Sequence, residues 1–150
     1  MVLQLANNGD LREYLKINFS NGLKFLHKND IIHRDLHSKN ILVHDGKLLI
    51  ADFGLSKDET SKTSNASVHG MQAYIDPQCL KSESYKRSKK SDIYSFGVIL
   101  WKISSGRPPF QSLAKIPYGI VIHVSQGGRE KNFQRRMKTT FNKLIKWKMN

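Results

Sequence analysis

Cysteine is nearly absent from the 150-residue chain: Cys79 stands alone. That excludes an intrachain disulfide and any zinc site built from paired cysteines. Four prolines and ten glycines recur with no period, which excludes collagen-like and low-complexity architecture. No apolar run reaches the roughly 18 residues that a membrane helix requires. The opening Met1–Asp10 lacks the basic start and apolar stretch of a secretory leader, so the expected location is cytoplasmic. Acidic residues are scarce in one half only. Residues 1–80 hold nine Lys/Arg against nine Asp/Glu, whereas residues 81–150 hold sixteen against three. The whole net charge of +13 therefore lies in the second half, which is an argument about anionic partners rather than about fold.

Apolar residues make up 39% of the chain and charged residues 25%, enough for one packed domain. Val2–Ala6 reads as a strand end, and Asp10 as the cap of a short helix through Leu11, Tyr14 and Leu15. Leu23, Phe25 and Leu26 belong to a second helix ending near His27–Asn29. Two short apolar runs, Ile41–Val43 and Leu48–Ala51, flank Asp45-Gly46, a strong hairpin signal. Lys57–His69 is rich in Ser, Thr, Asn and Lys with almost nothing apolar and reads as a mobile surface loop. Ile93–Ile103 carries apolar residues at helical spacing, with Asp92 near its start and Gly106-Arg107-Pro108-Pro109 as its stop.

The chemistry-bearing residues cluster around the hairpin. His33-Arg34-Asp35-Leu36-His37-Ser38-Lys39-Asn40 precedes it, and Asp52-Phe53-Gly54 follows it. Either triplet alone would read as loop caps. Together, in this order and spacing, they resemble the protein kinase family, with its HRDLxxxN and DFG motifs. Phosphoryl transfer needs a carboxylate to orient an attacking hydroxyl and oxygen ligands to hold Mg²⁺ on the nucleotide phosphates. The resemblance gives Asp35 the first role and Asn40 and Asp52 the second, with ATP and Mg²⁺ as cofactors.

The resemblance extends to other segments. Leu3–Leu11 is similar to the family's hinge, which makes Leu3 the gatekeeper, sets the backbones of Gln4 and Ala6 against adenine, and makes Leu42 the floor beneath it. Ser91–Gly97 resembles the buried helix of the larger lobe, where Asp92 would bond to the backbone at His33-Arg34. Ile75-Asp76-Pro77-Gln78 stands where the family usually has Ala-Pro-Glu. Thr60, Ser61, Thr63, Ser64 and Ser67 would be candidate phosphosites, with Arg34 as the partner of a phosphate.

The implied fold is α+β, mainly α: a truncated kinase-like fold of hinge plus helical C-lobe with a small β-hairpin over residues 1–128, followed by a basic, helix-patterned tail over 129–150. The implied activity is ATP-dependent phosphoryl transfer to a protein hydroxyl, with Ser/Thr favoured over Tyr. The sequence contains no Gly-rich loop, no strand-borne Lys and no helix Glu to pair with it, which argues against transfer by this chain alone. The alternative is a non-catalytic kinase remnant or pseudokinase-like binding module. The expected partner is a protein substrate. The tail, with eight basic residues against Glu130, adds an acidic partner or membrane surface as a further option. Nucleic acid is not expected, because the cations are not interleaved with aromatic platforms. Leu3, Leu5, Leu42 and Phe53 are expected to be exposed, a solubility liability.

Overall fold

In a computed structural model, residues 21–45, 47–58, 71–82 and 84–133 are described. The strand end expected at Val2–Ala6, the helix after Asp10, the hinge residues and most of the tail lie outside them. The described chain opens in a helix over 21–28, α1, which buries Leu23 and Leu26 and leaves Phe25 67% exposed. The Asn29 side chain donates to the Phe25 carbonyl at 2.8 Å, and Asp30 turns the chain away at φ 57°.

Among the described residues four short strands form two antiparallel pairs. Strand β1 (Ile31–Ile32) pairs with β4 (Lys57–Asp58), while β2 (Ile41–His44) and β3 (Lys47–Ile50) form the hairpin. Asp45 takes φ 46°, as a two-residue primed turn requires at its first central position. The hairpin register, Ile41↔Ile50 and Leu42↔Leu49, divides its faces. Ile41, Leu48 and Ile50 pack on the core, and Leu42 and Leu49 face outward. The polar stretch expected to be loop from Lys57 onward thus begins as a strand, because Ile31-Ile32 offers its backbone as partner. The rest of that stretch lies outside the described residues.

Two helices follow, α2 (Pro77–Lys81) and α3 (Lys89–Ser105). Helix α3 starts three residues before Asp92: Ser88 is its N-cap, in a reciprocal capping box with Ser91. It ends at Gly106, whose φ of 70° is the left-handed conformation of a helix terminus. Phe96, Val98, Ile99, Leu100 and Trp101 are all buried, so this helix is apolar around its circumference and forms the centre of the core. Leu36, Tyr74, Phe110 and Val124 close around it, the last from α4 (Gly119–Ser125). The whole is mainly helical with a small antiparallel component, the expected class.

Candidate active site

The loop between β1 and β2 is held from below by one carboxylate. Asp92, 1% exposed, accepts the backbone amides of His33 (2.9 Å) and Arg34 (3.0 Å), the contact expected from the sequence. The His27 ring meets the same carboxylate at 3.0 Å. No sequence signal pointed to His27, which arrives from α1 through tertiary packing alone.

His33 ties this loop to the segment after the hairpin. Its Nε2 lies 3.0 Å from the Ala51 carbonyl, and its Nδ1 accepts the Asp35 amide at 3.4 Å, an arrangement satisfied by the Nε2–H tautomer. Its ring centroid lies 5.1 Å from that of Phe53, and its carbonyl accepts from Ser56 Oγ at 3.3 Å. One buried imidazole therefore fixes both motif triplets.

Asp35 projects from this loop with its side chain 20% exposed. Asn40 is buried at the end of the turn Ser38–Asn40 and donates its Nδ2 to the Asp35 carbonyl at 3.0 Å, which leaves Oδ1 as its acceptor. The Ala51 amide donates to the Asn40 carbonyl at 2.9 Å, so Asp52 follows immediately beyond the hairpin's base. Asp52 is exposed, and its Oδ1 accepts from the Gly54 amide at 3.3 Å. The structure thus brings Asp35, Asn40 and Asp52 to one end of the hairpin. Leu42 stands 50% exposed on the outward face and Phe53 46%, as expected from the sequence; Leu3, Gln4, Ala6 and Leu5 lie outside the described residues.

Two features of the site had no sequence signature. Arg34 and Asp52 both adopt left-handed backbone, φ 71° and 63°, a conformation that costs a non-glycine residue and that concentrates at functional sites. His37 is buried beside Asp35, its Nε2 3.6 Å from Oδ2. Arg87 donates to the Arg34 carbonyl. Burial first, and the neighbouring Arg87 guanidinium second, hold Arg34 below the usual guanidinium pKa. The loop that contains the candidate phosphosites lies outside the described residues.

Among the described residues no group of three or more His, Cys, Asp or Glu is assembled for a metal. The oxygen donors present, Asn40 Oδ1 and the Asp52 carboxylate, nevertheless suit a hard cation. Magnesium is commonly held by one or two such ligands together with substrate phosphates and water.

The family model described as Protein kinase domain matches residues 3–150. The chain is 38% identical over 111 residues to calcium/calmodulin-regulated receptor-like kinase 1 of Arabidopsis thaliana, covering 71% of this chain and 25% of that protein. It is 36% identical over 139 residues to serine/threonine/tyrosine-protein kinase HT1 of the same plant, covering 81% and 35%. To human mitogen-activated protein kinase kinase kinase 13 it is 40% identical over 95 residues, covering 63% and 10%. The chain therefore spans about a third or less of each of these relatives. Among solved structures, a chain of the yeast RNA Pol II CTD kinase CTDK-1 complex superposes with a TM-score of 0.64 at 24% identity, covering 81% of this chain and 39% of that one.

Proposed function

This chain belongs to the protein kinase family, and from that premise we propose that Asp35, Asn40 and Asp52 are the catalytic and metal-holding groups of an ATP-dependent phosphoryl transfer to a protein hydroxyl. The observation that carries the proposal is the joint anchoring of both motif segments by His33, which gathers three oxygen-bearing side chains at the base of one hairpin.

Each residue's part follows from its surroundings. The Asp35 carboxylate orients the attacking hydroxyl and receives its proton. Asn40, locked by its amide to the Asp35 carbonyl, keeps Oδ1 as an acceptor. Asp52 adds a carboxylate beside it, and the two would hold Mg²⁺. That ion, when bound, neutralises charge on the nucleotide phosphates. Leu42 supplies the apolar surface under adenine, with Leu3, Gln4 and Ala6 completing that contact. Serine or threonine as acceptor is favoured by the loop around Asp35, which resembles that of the tyrosine-kinase-like group, whose members mostly phosphorylate serine and threonine.

A second reading is a non-catalytic binding module that keeps the fold without transfer. A thermal melt with and without Mg·ATP separates the two. Binding to the native state at a hundredfold excess over Kd adds about 2.7 kcal/mol of stability. The catalytic reading expects a shift that needs both Mg²⁺ and ATP and disappears in Asp52→Asn, along with any transfer. A melt indifferent to nucleotide supports the binding module. Transfer surviving Asp52→Asn would point to a contaminating kinase.

A further inference from the structure

Away from the hairpin, the C-terminal end of α3, the segment after Gly106 and the residues following α4 enclose a cleft of about 700 Å³. That volume lies within the range of sites that enclose a ligand or a short peptide. Its rim carries four permanent cations, Arg107, Lys115, Arg129 and Lys131, all exposed. Among the described residues none of the four is in an ion pair. Among the described residues the only carboxylate lining the cleft, that of Glu130, is turned to the Phe110 backbone amide, from which it accepts a hydrogen bond. That bond to a neutral amide leaves the Glu130 charge in place, and Arg129 lies over the Tyr94 ring at 5.6 Å and donates to the Gly128 carbonyl at 2.7 Å, so four cations against one carboxylate keep the rim net positive.

We propose that this cleft is a docking site for an acidic peptide segment of a partner protein, one that alternates carboxylates with aliphatic side chains. Charge complementarity selects the carboxylates, and Pro108 and Leu113 on the wall supply apolar contact for the aliphatic groups. The concavity favours a peptide over a membrane, which would need an apolar face that projects outward. Single-stranded nucleic acid would need open aromatic faces for stacking, and the aromatics here, Trp101 and Phe110, are 3% and 4% exposed. The site is independent of the phosphotransfer groups.

The test is fluorescence anisotropy of a short labelled peptide of alternating Glu, Asp and Leu, titrated with the full chain. A peptide with Lys in place of the acids serves as the first control. Binding of the acidic peptide alone, weakening as salt is raised, is expected. The double variant Arg107→Glu/Lys131→Glu should weaken it roughly tenfold, with circular dichroism unchanged because both side chains are exposed. The matched reversal Lys86→Glu/Lys90→Glu alters net charge equally but outside the cleft, and should leave affinity within about twofold. Equal losses from both pairs would overturn the proposal in favour of unlocalised net charge. So would preferential binding to phosphatidylserine vesicles or to an oligothymidine competitor, each abolished by the cleft reversal. No binding of the acidic peptide at low salt would also overturn it.

Discussion

The backbone amide of Arg34 is donated over 3.0 Å to the carboxylate of Asp92, 58 residues further along the chain. Arg34 is at the same time held at φ 71°. Left-handed backbone costs a residue of this type about 1–2 kcal/mol, so it persists only where its surroundings enforce it. Asp92 is that enforcement. It projects from the first turn of the core helix into the loop that carries Asp35.

Asp92→Asn tests this coupling. The carboxamide has one acceptor oxygen where two amides and the His27 ring converge on two, and its NH₂ would face a donor. A buried unsatisfied amide and a lost charge-assisted bond together cost about 3 kcal/mol. Urea unfolding should show the midpoint falling with an unchanged slope. A loss below about 1 kcal/mol would mean that the loop holds its shape without Asp92.

The cap of α3 supplies a second prediction. Ser88 Oγ accepts the Lys90 amide at 3.3 Å, and its own amide donates to Ser91 Oγ at 3.3 Å. Ser88→Ala should lower stability by about 1 kcal/mol, and Ser88→Thr should retain most of it. Equal stabilities for the alanine and threonine variants would show that the cap is energetically idle.

The sequence exposed those candidate residues that stand in recognisable motifs. Asp35, Asn40 and Asp52 were legible as candidates because their two motifs occur in fixed order and spacing, and the Asp92 contact with the loop backbone because Ser91–Gly97 resembles the family's buried helix. The hairpin was legible from Asp45-Gly46 between apolar runs. What stayed hidden depends on distant partners. Two-residue strands such as Ile31–Ile32 and Lys57–Asp58 have no periodicity to detect, and they exist only through each other. The true start of α3 was masked because Arg87–Ser91 is uniformly polar, so the apolar pattern began after the helix had. The left-handed Arg34 and Asp52 are imposed by tertiary contacts and leave no mark on composition.

Tyr94 makes a prediction about pH. Its hydroxyl is buried with no partner among the described groups, and burial, partly offset by Arg129, pushes its pKa up to about 12. In the unfolded chain the phenol titrates near 10, so between about pH 10 and 12 the unfolded state releases a proton that the folded state keeps. Stability from this group is thus intact below pH 10 and lost as pH rises toward 12, by up to roughly 2–3 kcal/mol. Tyr94→Phe should be neutral or slightly stabilising at pH 7, since it removes an unbonded buried hydroxyl. The difference between the two proteins in urea midpoint should therefore grow in favour of phenylalanine above pH 10. Parallel pH profiles would show that the phenol is solvated in the native state.

Leu42 separates folding from ligand contact. It is 50% exposed on the outward face of the hairpin beside Leu49, whereas Val43, its neighbour in β2, lies on the other face at 67% exposure. Truncating either to alanine removes little buried surface, so each variant should lie within about 1 kcal/mol of the parent in stability. Their responses to nucleotide should differ. If adenine rests on Leu42, Leu42→Ala forfeits apolar contact of about 1 kcal/mol at 25 cal/mol per Å², a several-fold weaker Kd for Mg·ATP. Val43→Ala should leave that Kd unchanged. Titrating the nucleotide-induced shift in Tm for both variants decides the matter. Equal weakening would mean that the hairpin responds as a whole, and no weakening in Leu42→Ala would place adenine elsewhere than on this face.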